Sequence, residues 1–449
     1  MDANQRSVKS NPAALLPIGV FLVLYLGCGL LFEYGLKIEQ GFYQTPAIVI
    51  FLIALAVACF QNRKLDFNAK MKVMAAGVAD ENILTMCLVF LAAGAFSGAV
   101  SAAGGADSTV FLFLDYLPSQ FAVAGLFLIA CFVSVSMGTS VGTISALAPF
   151  AVSMSKATGF ELVLCIAAVA CGAMFGDNLS MISDTTIAAV RTQGCEMKDK
   201  FRMNLLIALP AALVTLALLW FAGASGQVVK HEEYQFIRVV PYLAILVMAL
   251  AGVNVFIVLL AGIVFTGAVG IASVGGYTLI QWSKDIYSGF VGMNEIMVLS
   301  MLVGGLGELM RYHGGISWLL ERVNGLARKL SAESPVKAGE CCISLLVLLA
   351  NLCTANNTVA IILTGKVAHE IAVSNGVDRR RSASLLDIFS CVVQGLIPYG
   401  AQLLLAGSIA KLSPLSIAGN NWYCMLLAVA AVFAILFGIP RVRPVRPLA

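Results

Sequence analysis

The feature that most constrains this chain is a succession of apolar runs, most of them nearly as long as a bilayer's hydrocarbon core is thick. Continuous runs cover 12–32, 45–60, 83–103, 203–222, 239–251, 253–271, 296–310 and 422–438. A helical crossing needs about 20 predominantly apolar residues, so these eight runs read as membrane helices. Composition agrees: 60% of residues are hydrophobic and 12% charged, half the roughly 25% charge of a soluble domain. That balance excludes a water-soluble enzyme, and a mean hydropathy of +0.92 excludes disorder. Residues 11–32 are too long for a signal-peptide core and lack a small-residue cleavage site, so a first membrane helix is expected there. The expected fold class is an all-α polytopic membrane protein.

Basic residues set the orientation, because cytoplasmic loops carry the excess of Lys and Arg. Arg6, Lys9, Arg63, Lys64, Lys70, Lys72, Arg191, Lys198, Lys200 and Arg202 are expected inside, as are Arg322, Arg328, Lys329, Lys337, Arg379 to Arg381, Arg441, Arg443 and Arg446. Both termini are then cytoplasmic. Two further apolar regions, 121–190 and 340–412, contain polar clusters that a simple spanning helix would not tolerate. Crossing parity resolves each into a re-entrant hairpin followed by one interrupted span. The hairpins are expected at 121–157, entering from outside, and at 340–375, entering from inside. The division that follows has a cytoplasmic segment 1–12, a first repeat 13–223, an external linker 224–237, a second repeat 238–438 and a cytoplasmic tail 439–449. Each repeat has five spans and a hairpin, about ten membrane helices in all. Because five is odd, the two repeats are inserted upside down relative to each other.

Self-similarity supports the duplication. Gly104-Gly105 matches Gly314-Gly315, and Thr139 to Thr143 matches Thr354 to Thr358. A third match pairs Gly176-Asp177-Asn178 with Gly400-Ala401-Gln402. Inverted repeats with broken helices are the plan of secondary transporters, whose sites lie where unwound backbone meets near the midplane. The polar breaks therefore mark the expected site.

Four such breaks converge on this plan: 136–143, 176–186, 351–358 and 394–402. Their Ser, Thr, Asn and Gln side chains supply neutral oxygens, which suit a hard monovalent cation such as Na+. Asp177 and Asp184 add two carboxylates at membrane depth, where a charge costs about 2.5–3.5 kcal/mol on insertion scales and marks function by default. Burial favours the protonated acid and a neighbouring cation favours the ionised one. A single carboxylate can therefore hold either H+ or Na+, which is sufficient for exchange. Asp184 has a second reading as the cap of the following helix, since Ser183-Asp184-Thr185-Thr186 has N-cap chemistry. Glu308 and Asp387 are each a second proton carrier or a structural partner, and Asp80-Glu81 reads as compensation of a helix dipole. His231, His313 and His369 lack metal-ligand spacing. No nucleotide-binding, zinc-protease or hydrolase motif occurs, so no cofactor is expected and this chain does not drive transport with ATP.

Gly138 to Thr143, Phe175-Gly-Asp-Asn-Leu-Ser through Thr186, and Thr354-Ala-Asn-Asn-Thr-Val-Ala360 resemble the NhaC family of bacterial Na+/H+ antiporters. The resemblance covers most of the chain, and its specific part is the Phe-Gly-Asp-Asn-Leu-Ser block. It implies exchange of cytoplasmic Na+ for external H+ across a bacterial inner membrane. It also implies a site of Asp177, Asn178, Ser180, Asp184 and Thr185 faced by Thr139, Ser140, Asn356, Asn357 and Thr358, with Na+ carried at Asp177 and Asn178. The breaks themselves add Thr354 and Gln402. Met181 departs from the small or Pro-type residue expected in this motif. Some members of the family exchange organic acids, so the alternative is a Na+- or H+-coupled transporter or exchanger of a small organic acid or amino acid. The expected partners are Na+, H+ and the lipid bilayer, without nucleic acid; a homodimer is compatible with the sequence.

Overall fold

The computed structural model describes residues 9–38, 45–62, 65–116, 119–223, 234–330 and 335–440. Every regular element among them is helical. Arg6, Arg63, Lys64, His231, Arg441, Arg443 and Arg446 lie outside the described residues, as does most of the expected linker. Seven of the described helices are long and apolar enough to cross a membrane: Pro12–Leu30, Glu81–Ala102, Leu162–Gln193, Met197–Gly223, Val255–Ser273, Leu279–Tyr312 and Pro335–Thr354. Shorter apolar helices are Ala47–Phe60, Ala122–Met137, Phe236–Leu250, Ala401–Ala410 and Trp422–Phe437. The chain is an all-α polytopic membrane protein.

Two expectations about spans change. The run at 296–310 is the end of a 34-residue helix, Leu279–Tyr312, whose first half is hidden from hydropathy by Lys284, Asp285 and Glu295. The run at 83–103 is preceded by a further helix, Phe67–Val78, capped by Asp66. The two long elements pack antiparallel through glycines: a Cβ on Gly94 or Gly289 would fall on the other's carbonyl oxygen, and Gly77 meets Gly304 in the same way. Small residues permit such backbone approach where lipid gives no hydrophobic drive for helix association.

The element order repeats. Each half runs helix pair, long helical stretch, short helix, hairpin, two-piece helix and a further helical stretch. The hairpins are Ala122–Met137 with Ser140–Thr158, and Pro335–Thr354 with Asn357–Asn375. The two-piece helices are Leu162–Leu179 with Asp184–Gln193, and Arg379–Gln394 with Ala401–Ala410. From the hairpin tips onward one offset of 217 relates the landmarks. It joins the N-caps Thr139 and Asn356 (356 − 139), the left-handed C-caps Gly159 and Gly376 (376 − 159), and the left-handed C-caps Gly194 and Lys411 (411 − 194).

This register corrects two of the sequence matches. Thr139 corresponds to Asn356 rather than Thr354, because Asn and Thr serve equally as N-caps and the Thr-to-Thr spacing is coincidental. Asp177 corresponds to Gln394 (394 − 177), not Ala401, and Asp184 corresponds to Ala401 (401 − 184). The tip glycine, Gly138 at φ +69°, has Ala355 at φ +50° as its counterpart, so a left-handed turn persists without glycine. Gly104 and Gly314 keep their match at 210 (314 − 104), both at positive φ. Gly104 packs against Arg238 and Gly314 against Lys9 and Asn11, so each turn seats near the start of the other half's first helix.

Hydrogen bonds repeat with the same register. Ser134 Oγ donates to the Ala173 carbonyl at 2.6 Å, and its counterpart Asn351 Nδ2 donates to the Ser390 carbonyl at 2.8 Å. Beyond each break, Asn204 Nδ2 donates to the Asn178 carbonyl at 3.0 Å and Asn421 Nδ2 to the Gly395 carbonyl at 2.7 Å. The two asparagine bonds satisfy carbonyls that an interrupted helix leaves open.

Candidate functional site

Both hairpin tips and the first break meet at a cavity of about 450 Å³. Of the expected site residues, Asp177, Asp184, Thr185, Thr139, Ser140, Asn356, Asn357, Thr358 and Gln402 line it. Asp177 sits on the last turn of Leu162–Leu179 and is 6% exposed. Its Oδ2 accepts from Ser140 Oγ at 3.0 Å and from Asn357 Nδ2 at 3.4 Å. Ser140 and Asn357 are the first residues of the second arm of each hairpin, so two helix N-termini approach one carboxylate.

The tips hold this geometry through their caps. Thr139 Oγ1 accepts from Gly142 N at 3.3 Å, and Asn356 Oδ1 accepts from Val359 N at 3.0 Å. From the second two-piece helix, Gln402 Nε2 donates to Ser140 Oγ at 3.0 Å. Gln394 Nε2 donates to Gln402 Oε1 at 2.7 Å and to the Ala355 carbonyl at 3.1 Å. A chain of bonds thus runs from the second break through Gln394, Gln402 and Ser140 to Asp177, joining the halves.

Asp184 is exposed at the cavity and opens the helix Asp184–Gln193. Its reading as the cap is replaced: Ser183 is the N-cap, its Oγ accepting from Thr186 N at 3.2 Å. The Asp184 carboxylate is therefore free to face the cavity. Glu81, Asn82, Thr85, Asn254 and Gln394 complete the polar lining. Three carboxylates, Glu81, Asp177 and Asp184, and no Lys, Arg or His side chain line this cavity among the described residues.

Three expected site residues are elsewhere. The helix continues to Leu179, so Asn178 is turned about 100° from Asp177, away from the cavity. Its Nδ2 donates to Asp387 Oδ2 at 3.0 Å. Ser180 Oγ donates to the Val135 carbonyl at 2.9 Å and accepts from Ile182 N at 3.3 Å, so it shapes the break. Thr354 Oγ1 donates to the Asn356 carbonyl at 3.2 Å and lines a smaller cavity beside Glu308 and Arg311. Ser180 and Thr354 brace the tips instead, and Asn178 is held at the break.

Behind Asp177 lies a cluster that sequence reasoning missed. Lys200 was expected as a cytoplasmic anchor but is fully buried, its Nζ 2.7 Å from Asp387 Oδ2, with both side chains 1% exposed. The signal was slight: Lys200 stands in a basic stretch with Lys198 and Arg202, four residues before the buried Asn204. Asp387 is a structural partner here, and Glu308 pairs with Arg311 three residues on.

Comparison with known proteins places this geometry. The model of the Na+/H+ antiporter family matches residues 3–224. A malate-2H+/Na+-lactate antiporter of Bacillus subtilis is 24% identical over 94% of this chain and 93% of its own length. The Na+/H+ antiporter NhaC of Bacillus subtilis is 25% identical over 88% of this chain and 92% of its own length. The NhaC protein of Alkalihalophilus pseudofirmus is 25% identical over 86% and 87% respectively. These relatives are transporters rather than enzymes, and their similarity runs through both halves. Residues 3–224 thus match the Na+/H+ antiporter family, and the chain is similar to transporters of this kind along most of its length.

Proposed function

We propose that this protein exchanges cytoplasmic Na+ for external H+, with Asp177 as the shared carrier. The observation that carries this reading is the cavity's charge: among the described residues, three carboxylates and no cationic side chain surround its polar lining. A cation gains from such a field and an organic anion is repelled by it. Asp177 either binds a proton and is neutral, or is ionised and holds Na+ with oxygens from the hairpin tips. Because one site cannot hold both, loading Na+ on one side and H+ on the other yields exchange. Ser140 and Asn357 orient the carboxylate.

The proposed setting is a bacterial plasma membrane with both termini cytoplasmic and the two repeats inverted. The Lys and Arg distribution supports that orientation, and the odd number of spans expected in each repeat supports the inversion. A second reading, exchange of a small organic acid, is favoured by one feature: a volume of about 450 Å³ exceeds what a bare Na+ needs. Purified protein in vesicles with an imposed pH gradient separates the two. Added Na+ alone is expected to collapse the gradient; a requirement for malate or lactate would contradict the cation reading.

A further inference from the structure

The two breaks are built alike but not identically, and the difference is a lysine. In both repeats the carbonyl freed at the end of the first half-helix is bonded by an asparagine from the segment after the break: Asn204 to Asn178 and Asn421 to Gly395. Among the described residues, a second side-chain donor is added at the first break alone. Lys200 Nζ donates to the Asn178 carbonyl at 2.7 Å and to Thr186 Oγ1 at 2.7 Å, and pairs with Asp387 Oδ2 at 2.7 Å. Asn204 Nδ2 also reaches Asp387 Oδ2, at 2.8 Å. By the register of 217 the counterpart of Lys200 is Ile417 (417 − 200) and that of Asp387 is Ala170 (387 − 170), both apolar and buried.

We propose that Lys200 is a positioning residue for the cation site, a charged strut that fixes the distance across the first break. Its three donors are used on three different elements. One ends the half-helix carrying Asp177, one lies in the first turn of the half-helix carrying Asp184 and Thr185, and one comes from the second repeat's two-piece helix. The neighbouring asparagine is the support common to both breaks; the lysine is present where the carboxylate is. Asp387 balances the ammonium, without which a buried charge would be unpaired. The pair is thus a neutral unit with directional bonds, and it lies behind the cavity rather than on it.

This inference rests on Asp177 being the cation site, and its test distinguishes the two. Wild-type protein, Lys200→Met/Asp387→Asn, Lys200→Arg and Asn421→Ala are reconstituted in vesicles, and the Na+ dependence of gradient collapse is measured. The double variant removes both charges together, so no unpaired buried ion remains. Lys200→Arg keeps the charge opposite Asp387 and misfits the other two acceptors. Loss of groups that orient ligands typically weakens metal affinity about 10- to 100-fold. Both Lys200 variants are therefore expected to raise the apparent KM for Na+ about tenfold or more, with the maximal rate falling much less, while Asn421→Ala leaves KM in place. An unchanged KM in an inserted Lys200 variant overturns the strut, as does an equal rise in Asn421→Ala, which would make the effect generic to a loosened break. Wild-type protein that shows no Na+-dependent collapse instead overturns the cation reading itself.

Discussion

Asp177 is the residue on which the geometry converges, and its surroundings grade what substitution should do. Asp177→Asn keeps the size of the side chain and its place between Ser140 and Asn357 but removes the exchangeable charge. Na+-dependent exchange is expected to fall to background while membrane insertion persists, which vesicle transport and detergent chromatography would check. Asp184 is exposed, and a solvated charge contributes up to about 1 kcal/mol; Asp184→Asn is therefore expected to raise KM no more than about fivefold. Asn357→Ala should raise KM through lost orientation of Asp177, whereas Thr354→Ala should leave it unchanged, because that hydroxyl serves the Asn356 carbonyl. Equal effects of the last two would contradict the assignment. Asp177 was legible in the sequence because a carboxylate inside an apolar span is rare and expensive. Asn178, which the family resemblance puts in the site beside Asp177, faces Asp387 instead, because an intact helical turn sends neighbours to different faces. Lys200 was not legible, since a lysine in a basic loop and a lysine turned inward have the same local pattern.

At the scale of elements, the tips and breaks are set by capping and close packing. Thr139 and Asn356 each cap a hairpin arm at the cavity and Ser183 caps the half-helix Asp184–Gln193, and loss of such a cap costs about 0.5–2 kcal/mol. Asn356→Ala is expected to lower thermal stability by that amount. Ala355 holds a left-handed conformation at φ +50°, which costs an L-residue roughly 1–2 kcal/mol; Ala355→Gly should raise the unfolding temperature, and a fall would contradict the turn. Gly289→Ala would drive a Cβ into the Gly94 carbonyl, and overpacking of this kind costs about 1–3 kcal/mol. The hairpins and interrupted spans were readable from polar residues inside apolar regions. Their register was not: Thr and Asn are interchangeable as caps, so the true correspondence of Thr139 with Asn356 is invisible to a search for identical letters. The long helix Leu279–Tyr312 was shortened in the reading because its charged first half defeats a hydropathy criterion.

For the whole molecule, the consequence of two repeats with an offset of 217 is one asymmetric site. Asp177 and Asp184 correspond to Gln394 and Ala401, so the acidic groups lie in the first repeat and the second contributes neutral oxygens and amides. Inversion of the repeats predicts that Lys156→Cys, at the base of the first hairpin, labels from outside and Ser374→Cys, at the base of the second, from the cytoplasm. Labelling of both from one side would contradict inversion. The central claim, that one carboxylate carries either ion, is tested most directly by counting protons released when Na+ is added to purified protein in weakly buffered solution. The account predicts saturable release in wild-type protein and none in Asp177→Asn. Release that persists undiminished in Asp177→Asn would contradict it.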